Sequence, residues 1–289
     1  MTEAGRRLFR QWLGGGEAVA APGVYDPLGA RIAAHAGHRA LYLGGNAMAL
    51  GLGKGQPFLT ATETAAITAR IAAAVDLPLF VDMGAGFGEP AHLDVALREI
   101  EAAGASAVHI DDQPYPKRAA YHRGRGALMP PEAMVRRLRA ARGARRDPDL
   151  AIVARTDALR VAGSLDEGIA RGRLYREAGA DALMVLDLGP GDAAVFRDAL
   201  PDTPLVWIGG VAPPVPSLDE LSQAGFRIAC YPFSGIAAAT VALADVWEGL
   251  ARTGRVDQSP ELLARARRET LALAEMERAW ALEDDDEQA

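Results

Sequence analysis

The sequence predicts an α/β protein, a (β/α)8 barrel with one additional helix at the carboxyl-terminal end. Eight short apolar runs are spaced evenly along the 289 residues, and helical stretches separate them. A strand buried on both faces reads as a continuous apolar run, and strands that alternate with helices form a parallel sheet. Three of the runs end in charged residues, which is typical of an active site at the carboxyl end of a barrel.

The predicted strands follow one another at regular intervals. They are Ala18–Ala21, Ala40–Leu43, Leu79–Asp82, Ala107–Asp111, Ala151–Asp157, Ala182–Asp187, Leu205–Ile208 and Arg227–Tyr231. The helices predicted between them include Thr62–Ala74, Leu93–Ala103, Pro131–Arg142 and Asp166–Ala178. Several helices are followed by a glycine, which adopts the left-handed conformation of a C-cap most easily. An open doubly wound sheet is the alternative, but the glycine fingerprint expected after its first strand is absent.

The carboxyl-terminal part of the chain exceeds what a closed barrel needs. The eighth barrel helix is predicted over Gly235–Ala251, and Pro260–Leu282 reads as one more helix that begins at the N-cap residue Ser259. We therefore divide the chain into a barrel of residues 1–255, a helical extension of residues 256–282 and a disordered acidic tail of residues 283–289.

Composition and charge argue against several classes of function. The net charge of −7 argues against nucleic-acid binding. No apolar run is long enough to span a bilayer, and the first 16 residues lack the apolar core of a signal peptide. The single cysteine, Cys230, allows no intrachain disulfide, which fits a reducing compartment. We expect a cytoplasmic protein whose partner is a small molecule, neither a nucleic acid nor a membrane.

Two carboxylates mark a candidate metal site. Asp82 and Asp111 end the third and fourth predicted strands, and the carboxyl ends of neighbouring parallel strands lie at the same rim. Mg²⁺ fits such a pair because it is usually held by one or two carboxylates and several waters, and Mn²⁺ is the alternative ion. Asp82 also precedes the glycine-rich segment Gly84–Gly88, which allows close approach of the backbone to a ligand.

Basic residues are expected at the same rim. Arg155 follows the apolar run Ala151–Ala154, so its guanidinium is expected to hold a substrate carboxylate through two hydrogen bonds. The long loop after the fourth strand contains Lys117 and His122. Two interpretations of this loop stay open: an exposed basic loop, or a lid that brings a proton donor over the site. His109, inside the fourth strand, is a candidate for the barrel interior.

Several segments together resemble the isocitrate lyase / phosphoenolpyruvate mutase superfamily. They are Pro22–Asp26, Leu41–Gly45, Val81–Gly88, His109–Gln113 with Pro116 and Lys117, and Ala154–Ala158, and the later Gly225–Ile228 with Tyr231 and Pro232 agrees. The resemblance covers residues 18–250. It implies a (β/α)8 barrel, Mg²⁺, and chemistry on 2-oxo or 2-hydroxy carboxylates through an enolate. It also implies a carboxyl-terminal helix exchanged between the subunits of a dimer within a homotetramer.

The chain departs from the motifs of that superfamily at the metal site. Gly84 stands where the superfamily carries a second aspartate, and the acidic residue expected near Gln56 is absent. Asp111 stands in place of a glutamate, and Gly44 in place of a serine, as in the oxaloacetate decarboxylase branch. These departures leave open whether metal binding is weakened or lost.

The residues around the reacting carbons differ as well. The lyase branch uses a cysteine as the proton donor, and residues 117–122 contain none. His122 is our preferred substitute because an imidazole titrates near neutral pH, and Tyr121 is the rival. Ala119 replaces an asparagine of the mutase branch. Trp207 lies where a polar group would bind a second carboxylate, so we expect a departing fragment less charged than succinate.

These observations predict a Mg²⁺-dependent carbon–carbon lyase or decarboxylase that acts on a 2-hydroxy or 2-oxo carboxylic acid through an enolate. A phosphonate hydrolase or mutase of the same superfamily and a catalytically inactive, ligand-binding barrel stay open as alternatives. The predicted catalytic residues are Lys117, Tyr121 and His122. The predicted substrate-binding residues are Tyr42, Gly44, Gly45, Asn46, Arg155, Asp187 and Trp207, and the predicted metal ligands are Asp82 and Asp111.

Overall fold

Eight parallel strands, within the described part of the chain, close into a barrel in chain order. The computed structural model describes residues 2–287, apart from the side chains of residues 2, 122, 286 and 287. The strands are Val19–Val24 (β1), Leu41–Leu43 (β2), Leu79–Asp82 (β3), Ala107–Asp111 (β4), Ala151–Thr156 (β5), Ala182–Val185 (β6), Leu205–Ile208 (β7) and Phe226–Tyr231 (β8). Each strand pairs with the next, and β8 pairs with β1, so the predicted (β/α)8 barrel is confirmed.

Helices follow the strands around the barrel. They are Thr2–Gly14 (α1), Pro27–His35 (α2), Gly45–Gly51 (α3), Ala61–Ala74 (α4), Pro90–Ala102 (α5), Pro131–Ala144 (α6), Ala158–Ala162 (α7), Leu165–Glu177 (α8), Pro190–Ala199 (α9), Leu218–Gln223 (α10), Ser234–Thr253 (α11), Pro260–Leu273 (α12) and Met276–Glu287 (α13). Side-chain caps begin several of them: the Thr60 hydroxyl, for example, accepts a hydrogen bond from the Glu63 backbone NH at the start of α4. Among the described residues, no helix is long and apolar enough to cross a membrane.

The carboxyl-terminal helices differ from their prediction. The single helix expected over 260–282 is divided into α12 and α13, with Glu275 in the left-handed region between them at φ 56°. The backbone is helical through Glu287, where the sequence suggested a disordered tail. The chain divides into two compact units, Met1–Ile236 and Ala237–Ala289, so the division falls within α11 and not after residue 255.

Side chains alternate between two cores along each strand. Residues such as Val81, Val108 and Ile152 point outwards and pack beneath the helices. Residues such as Phe80 and Val153 point inwards and fill the barrel interior. Successive side chains of a strand point to opposite faces, so each strand contributes to both cores. The barrel is therefore filled and not a channel, and only the layer at the carboxyl ends is polar.

Helix α1, which the sequence analysis did not predict, closes the amino-terminal end of the barrel. Its Phe9 is fully buried, with its ring 5.4 Å from that of Phe80. Arg6 donates hydrogen bonds to the carbonyl oxygens of Ala105 and Glu101 at 3.0 and 2.7 Å and to the Asp147 carboxylate at 2.8 Å. Phe9, Trp12 and Leu13 recur at helical spacing and pack in the barrel interior, so the apolar period of this segment was a usable signal.

Candidate active site

The register of three neighbouring strands brings the predicted charged residues together. Asp82 of β3 lies beside His109 of β4, and Asp111 of β4 lies beside Arg155 of β5. His109 and Asp111 are two residues apart, so both point into the barrel. All four side chains are nearly or fully buried at the carboxyl-terminal mouth. His109 thus faces the interior as the sequence suggested, and it lies at the centre of the cluster.

Asp82 is oriented by the backbone of two glycines. Its Oδ1 accepts a hydrogen bond of 2.7 Å from the Gly84 NH, and its Oδ2 accepts one of 2.9 Å from the Gly45 NH. The Gln56 amide lies 3.5 Å from Oδ2. A side chain at Gly45 would come within 2.7 Å of the Gln56 amide nitrogen and 3.0 Å of Asp82 Oδ2, so Gln56 or Asp82 would have to shift. Gly84 has φ +52° and open space where a side chain would begin.

His109 joins the two carboxylates to a buried phenol. Its Nδ1 lies 3.0 Å from Asp111 Oδ1, and its Nε2 lies 2.8 Å from the Tyr42 hydroxyl and 3.6 Å from Asp82 Oδ1. Burial and the nearby Asp82 charge raise the pKa of Tyr42 well above its usual value, so the phenol keeps its proton. An ionised Asp111 only accepts hydrogen bonds, so His109 Nδ1 donates to it. In the tautomer with its single hydrogen on Nδ1, the Tyr42 hydroxyl donates to Nε2.

Asp111 is ionised although it is fully buried. Burial alone would raise the pKa of Asp111, but Arg155, Lys117 and the hydrogen bond with His109 together hold it well below its usual range. Lys117 Nζ lies 3.5 Å from Asp111 Oδ2 and 4.8 Å from the centre of the Tyr121 ring. The Asp111 carboxylate thus lies between the cations Lys117 and Arg155 and the imidazole of His109.

Arg155 is held on one edge of its guanidinium group. Its Nε donates a 2.9 Å hydrogen bond to Asp157 Oδ1, and its Nη2 lies 3.4 Å from Asp157 Oδ2 and 3.3 Å from the Tyr121 hydroxyl. Tyr121 in turn donates a 2.6 Å hydrogen bond to Asp157. Among the described residues Nη1 has no hydrogen-bond partner, so the outer edge stays available to a ligand while the inner edge is oriented.

A buried network behind Asp157 supports this arrangement. The Asp112 carboxylate accepts hydrogen bonds from the Thr156 hydroxyl at 2.7 Å, the Asp157 backbone NH at 3.0 Å and the Tyr175 hydroxyl at 2.9 Å. Arg171 Nη1 lies 3.2 Å from the same carboxylate. Because these partners come from the last residue of β5, the residue after it and α8, Asp112 ties the end of β5 to the helix behind it and limits movement of Arg155.

A cavity of about 670 Å³ opens above the cluster. The predicted site residues that line it are Tyr42, Gly44, Gly45, Asn46, Asp82, Tyr121, Arg155, Asp187 and Trp207. Asp111 lies buried below it in contact with Lys117, and Lys117 lines a smaller recess beside Gln56. The side chain of His122 lies outside the described part of the structure. Asp187 is exposed at the rim and is bound by Arg160 through two hydrogen bonds.

Several residues of the site were not predicted. Asp157 accepts hydrogen bonds from Arg155 and from Gln113. The Gln56 amide approaches Asp82. The spacing of two between Arg155 and Asp157 was a usable signal, because such residues share a strand face. Leu188 and Phe233, which also line the cavity, lie in connecting segments whose path no sequence periodicity indicates.

Two buried carboxylates, an imidazole and an oriented arginine at the carboxyl-terminal mouth define the chain as a (β/α)8-barrel enzyme with a candidate metal centre. Residues 9–251 match the phosphoenolpyruvate phosphomutase family, and the chain therefore belongs to that family. The superfamily resemblance seen in the sequence is confirmed.

Lyases are among the relatives of the chain. It is 36% identical to 2-methylisocitrate lyase of Aeropyrum pernix over 230 residues, which cover 78% of this chain and 73% of the relative. It is 33% identical to 2,3-dimethylmalate lyase of Eubacterium barkeri over 247 residues, which cover 84% of each chain. Among solved structures it is similar to phosphonopyruvate hydrolase in complex with oxalate and Mg²⁺, with a TM-score of 0.83 and 26% identity over 96% of this chain and 98% of the other.

Proposed function

We propose that this protein is a Mg²⁺-dependent carbon–carbon lyase or decarboxylase that acts on a 2-hydroxy or 2-oxo carboxylic acid through an enolate. The observation that carries the proposal is the placement of Asp82 and Asp111 beside an Arg155 whose outer edge faces the cavity. The named lyase relatives support the class of reaction.

The donor set suits a divalent cation. One ligand atom each from Asp82, His109 and Asp111 lies within 4.8 Å of the others. Asp82 Oδ1 accepts one backbone hydrogen bond and keeps a lone pair for an ion, whereas Oδ2 accepts from the Gly45 NH and the Gln56 amide. Asp111 is ionised. His109 Nε2 is engaged by Tyr42, so we assign His109 to orienting Asp111. Asp82 would hold the ion, with Asp111 acting directly or through water; Mn²⁺ is a substitute.

The ion supplies positive charge for the oxygen on which an enolate develops its negative charge. The chain supplies the remaining interactions. Arg155 would bind the substrate carboxylate through Nη1, because Asp157 and Tyr121 occupy the Nε–Nη2 edge. The Gly44–Asn46 segment lines the cavity beside Asp82 and lets the substrate approach the backbone closely. This arrangement orients a 2-oxo acid in one plane and stabilises its enolate.

Tyr121, Lys117 and His122 are the candidate proton donors. Burial raises the pKa of Tyr121 well above its usual value, and its hydrogen is directed to Asp157. Tyr121 is therefore better placed to hold Arg155 than to protonate an enolate. Lys117 lies beside Asp111 and remains a candidate acid, and His122 stays the preferred donor as a prediction.

Two alternatives are weaker. The similarity to phosphonopyruvate hydrolase would support a phosphonate hydrolase or mutase. Against it, Ala119 has no side-chain amide that could bind a phosphonate. In a catalytically inactive barrel, the orientation of Arg155 by Asp157, with its other edge at an open cavity, would serve no reaction.

The first test measures enolate formation without assuming the departing fragment. Pyruvate in D₂O should exchange its C3 hydrogens in the presence of the protein and Mg²⁺, as followed by proton NMR, because the site stabilises the enolate. Exhaustive chelation should abolish the exchange and added Mn²⁺ should restore it. Asp82→Asn tests the assigned ligand. Exchange that persists after chelation would contradict the metal assignment, and no exchange at all would favour the inactive barrel.

We also propose a homotetramer built from helix-exchanged dimers, in the cytoplasm. Leu262, Leu263 and Trp280 are exposed on α12 and α13, whereas Leu273 is buried within the chain. Exposed apolar side chains in such number favour a covering partner. Truncation after Thr253 should give a smaller species in size-exclusion chromatography with light scattering. An unchanged oligomer would contradict the exchange.

A further inference from the structure

The cavity has two chemically different sides. One side carries the polar groups of the site, including Tyr42, Asp82 and Arg155. The other side, here called the apolar wall, comes from β7 and the segments after β6, β7 and β8, and consists of Leu188, Trp207, Ile208, Val211 and Phe233. A substrate held by its carboxylate on the first side therefore extends towards the second.

The apolar wall offers no charge partner for a second carboxylate. Among the described residues that line the cavity, the cations are Arg155 and Arg160. Arg155 is assigned to the first carboxylate. Arg160 lies at the exposed rim, where Asp187 balances its charge through hydrogen bonds of 2.6 and 2.5 Å, and the Asp187 carboxylate would repel a second anion. An anion placed against this wall would lose hydration without gaining a partner, which is unfavourable.

The cavity is also larger than a three-carbon acid needs. Its volume of about 670 Å³ lies within the range of about 300–1,000 Å³ that is usual for small-molecule sites. Pyruvate has six non-hydrogen atoms, so most of the space lies beyond the part of the substrate that Arg155 holds. Trp207 contributes a largely buried edge to the lining of this space: it is 6% exposed, packs with the core beneath the helices and has its ring 5.3 Å from that of Tyr231.

We infer that the substrate is a 2-oxo acid with one carboxylate and an uncharged apolar group on the departing fragment, namely a 4-hydroxy-2-oxo acid with an alkyl or aryl group at C4. This inference rests on the enolate chemistry proposed above. The C3–C4 bond breaks, its electron pair stays on C3 as the pyruvate enolate, and C4 becomes the carbonyl carbon of an apolar aldehyde. The C4 hydroxyl proton passes to solvent at the open rim, and C3 takes up one proton.

A pair of matched inhibitors tests the apolar wall by binding alone. N-propyloxamate and N-oxalylglycine share a planar oxamate head and carry an ethyl group or a carboxylate on the same methylene. Isothermal titration calorimetry with Mg²⁺ should give a Kd about tenfold or more lower for N-propyloxamate, because the carboxylate tail would be desolvated without a partner. Equal affinities, or tighter binding of N-oxalylglycine, would overturn the inference.

Two charge variants locate the effect. Val211 lines the cavity but is 64% exposed, so Val211→Arg adds a cation to the apolar wall without disturbing the core. It should reduce the preference for N-propyloxamate about fivefold or more, since the carboxylate tail gains a partner. Val195→Arg adds the same charge at an exposed position of α9 that does not line the cavity, and it should leave the preference unchanged.

Turnover separates this inference from the proposed function. Wild-type protein with Mg²⁺ should release pyruvate from 4-hydroxy-2-oxoheptanoate faster than from 4-hydroxy-2-oxoglutarate. Preferential binding of the propyl tail without pyruvate release would overturn the proposed bond cleavage. Hydrogen exchange of pyruvate reports on enolate formation in the same samples: exchange without a preference for the apolar tail refutes only the substrate class, whereas absence of exchange refutes the proposed function.

Discussion

The two ends of the barrel each bury an arginine beside aspartate, with opposite consequences. At the amino-terminal end, Nε, Nη1 and Nη2 of Arg6 are all hydrogen-bonded to protein groups. At the carboxyl-terminal end, Asp157 and Tyr121 take one edge of Arg155, and the other edge faces a cavity. A cavity of similar size, about 660 Å³, borders Arg6, so volume alone does not mark the site. What marks the site is the hydrogen-bond donor of Arg155 that no described residue uses.

Arg155→Lys should have the largest effect on function. An ammonium cannot bind Asp157 on one edge and a substrate carboxylate on the other, so charge is kept while geometry is lost. The rate of pyruvate hydrogen exchange should fall by about a hundredfold or more. Circular dichroism checks that the variant is folded. A rate within a few-fold of wild type would show that Arg155 does not bind the substrate.

Arg6→Met should have the converse effect, on stability and not on exchange. It removes the arginine donor from the buried Ala105 and Glu101 carbonyl oxygens and from the half-buried Asp147 carboxylate. We expect the free energy of unfolding, measured with urea, to fall by about 2–4 kcal/mol. Hydrogen exchange of pyruvate at 15 °C should remain near the wild-type rate. Strongly reduced exchange in a folded Arg6→Met protein would show that the two ends are coupled.

The smallest expected effect is a pH dependence at the amino-terminal end. Burial opposes ionisation of Asp147, but Arg6 and the Asp149 backbone NH hold the pKa of Asp147 below its usual value. Because the pKa is lower in the folded state, the ionised carboxylate stabilises the fold above the unfolded-state pKa of about 3.9, and this contribution is lost as pH falls through the folded-state pKa.

Urea unfolding across the acidic range measures this contribution. The stability of the wild type should fall more steeply towards low pH than that of Asp147→Asn, which has no carboxylate to protonate at this position. Arg6→Met should flatten the dependence as well, because it removes the cation that lowers the pKa. Parallel curves for wild type and Asp147→Asn would contradict the assignment.

The carboxyl-terminal site was partly predictable because strand ends carry a local signal. Asp82, Asp111 and Arg155 each follow an apolar run, and parallel strands bring such ends together. The partners of these residues gave no comparable signal. Tyr121 lies in the short 3-10 helix Ala119–Arg123, and its contact with Asp157 depends on the path of the segment after β4. The contacts of Arg6 at the other end gave no local signal either, since its partners lie 95 to 141 residues away in the chain.

The sequence alone determined the strand–helix alternation, the closed barrel and the charged residues that reach its carboxyl-terminal mouth, since these depend on the local period of apolar residues. Only the tertiary structure decided which of those charges are already satisfied. Strand register placed Asp111 beside Arg155, and the loops placed Asp157 on one edge of the guanidinium and the apolar wall across the cavity. Hydrogen-bond saturation is a property of atoms brought together from distant segments, and no local pattern encodes it.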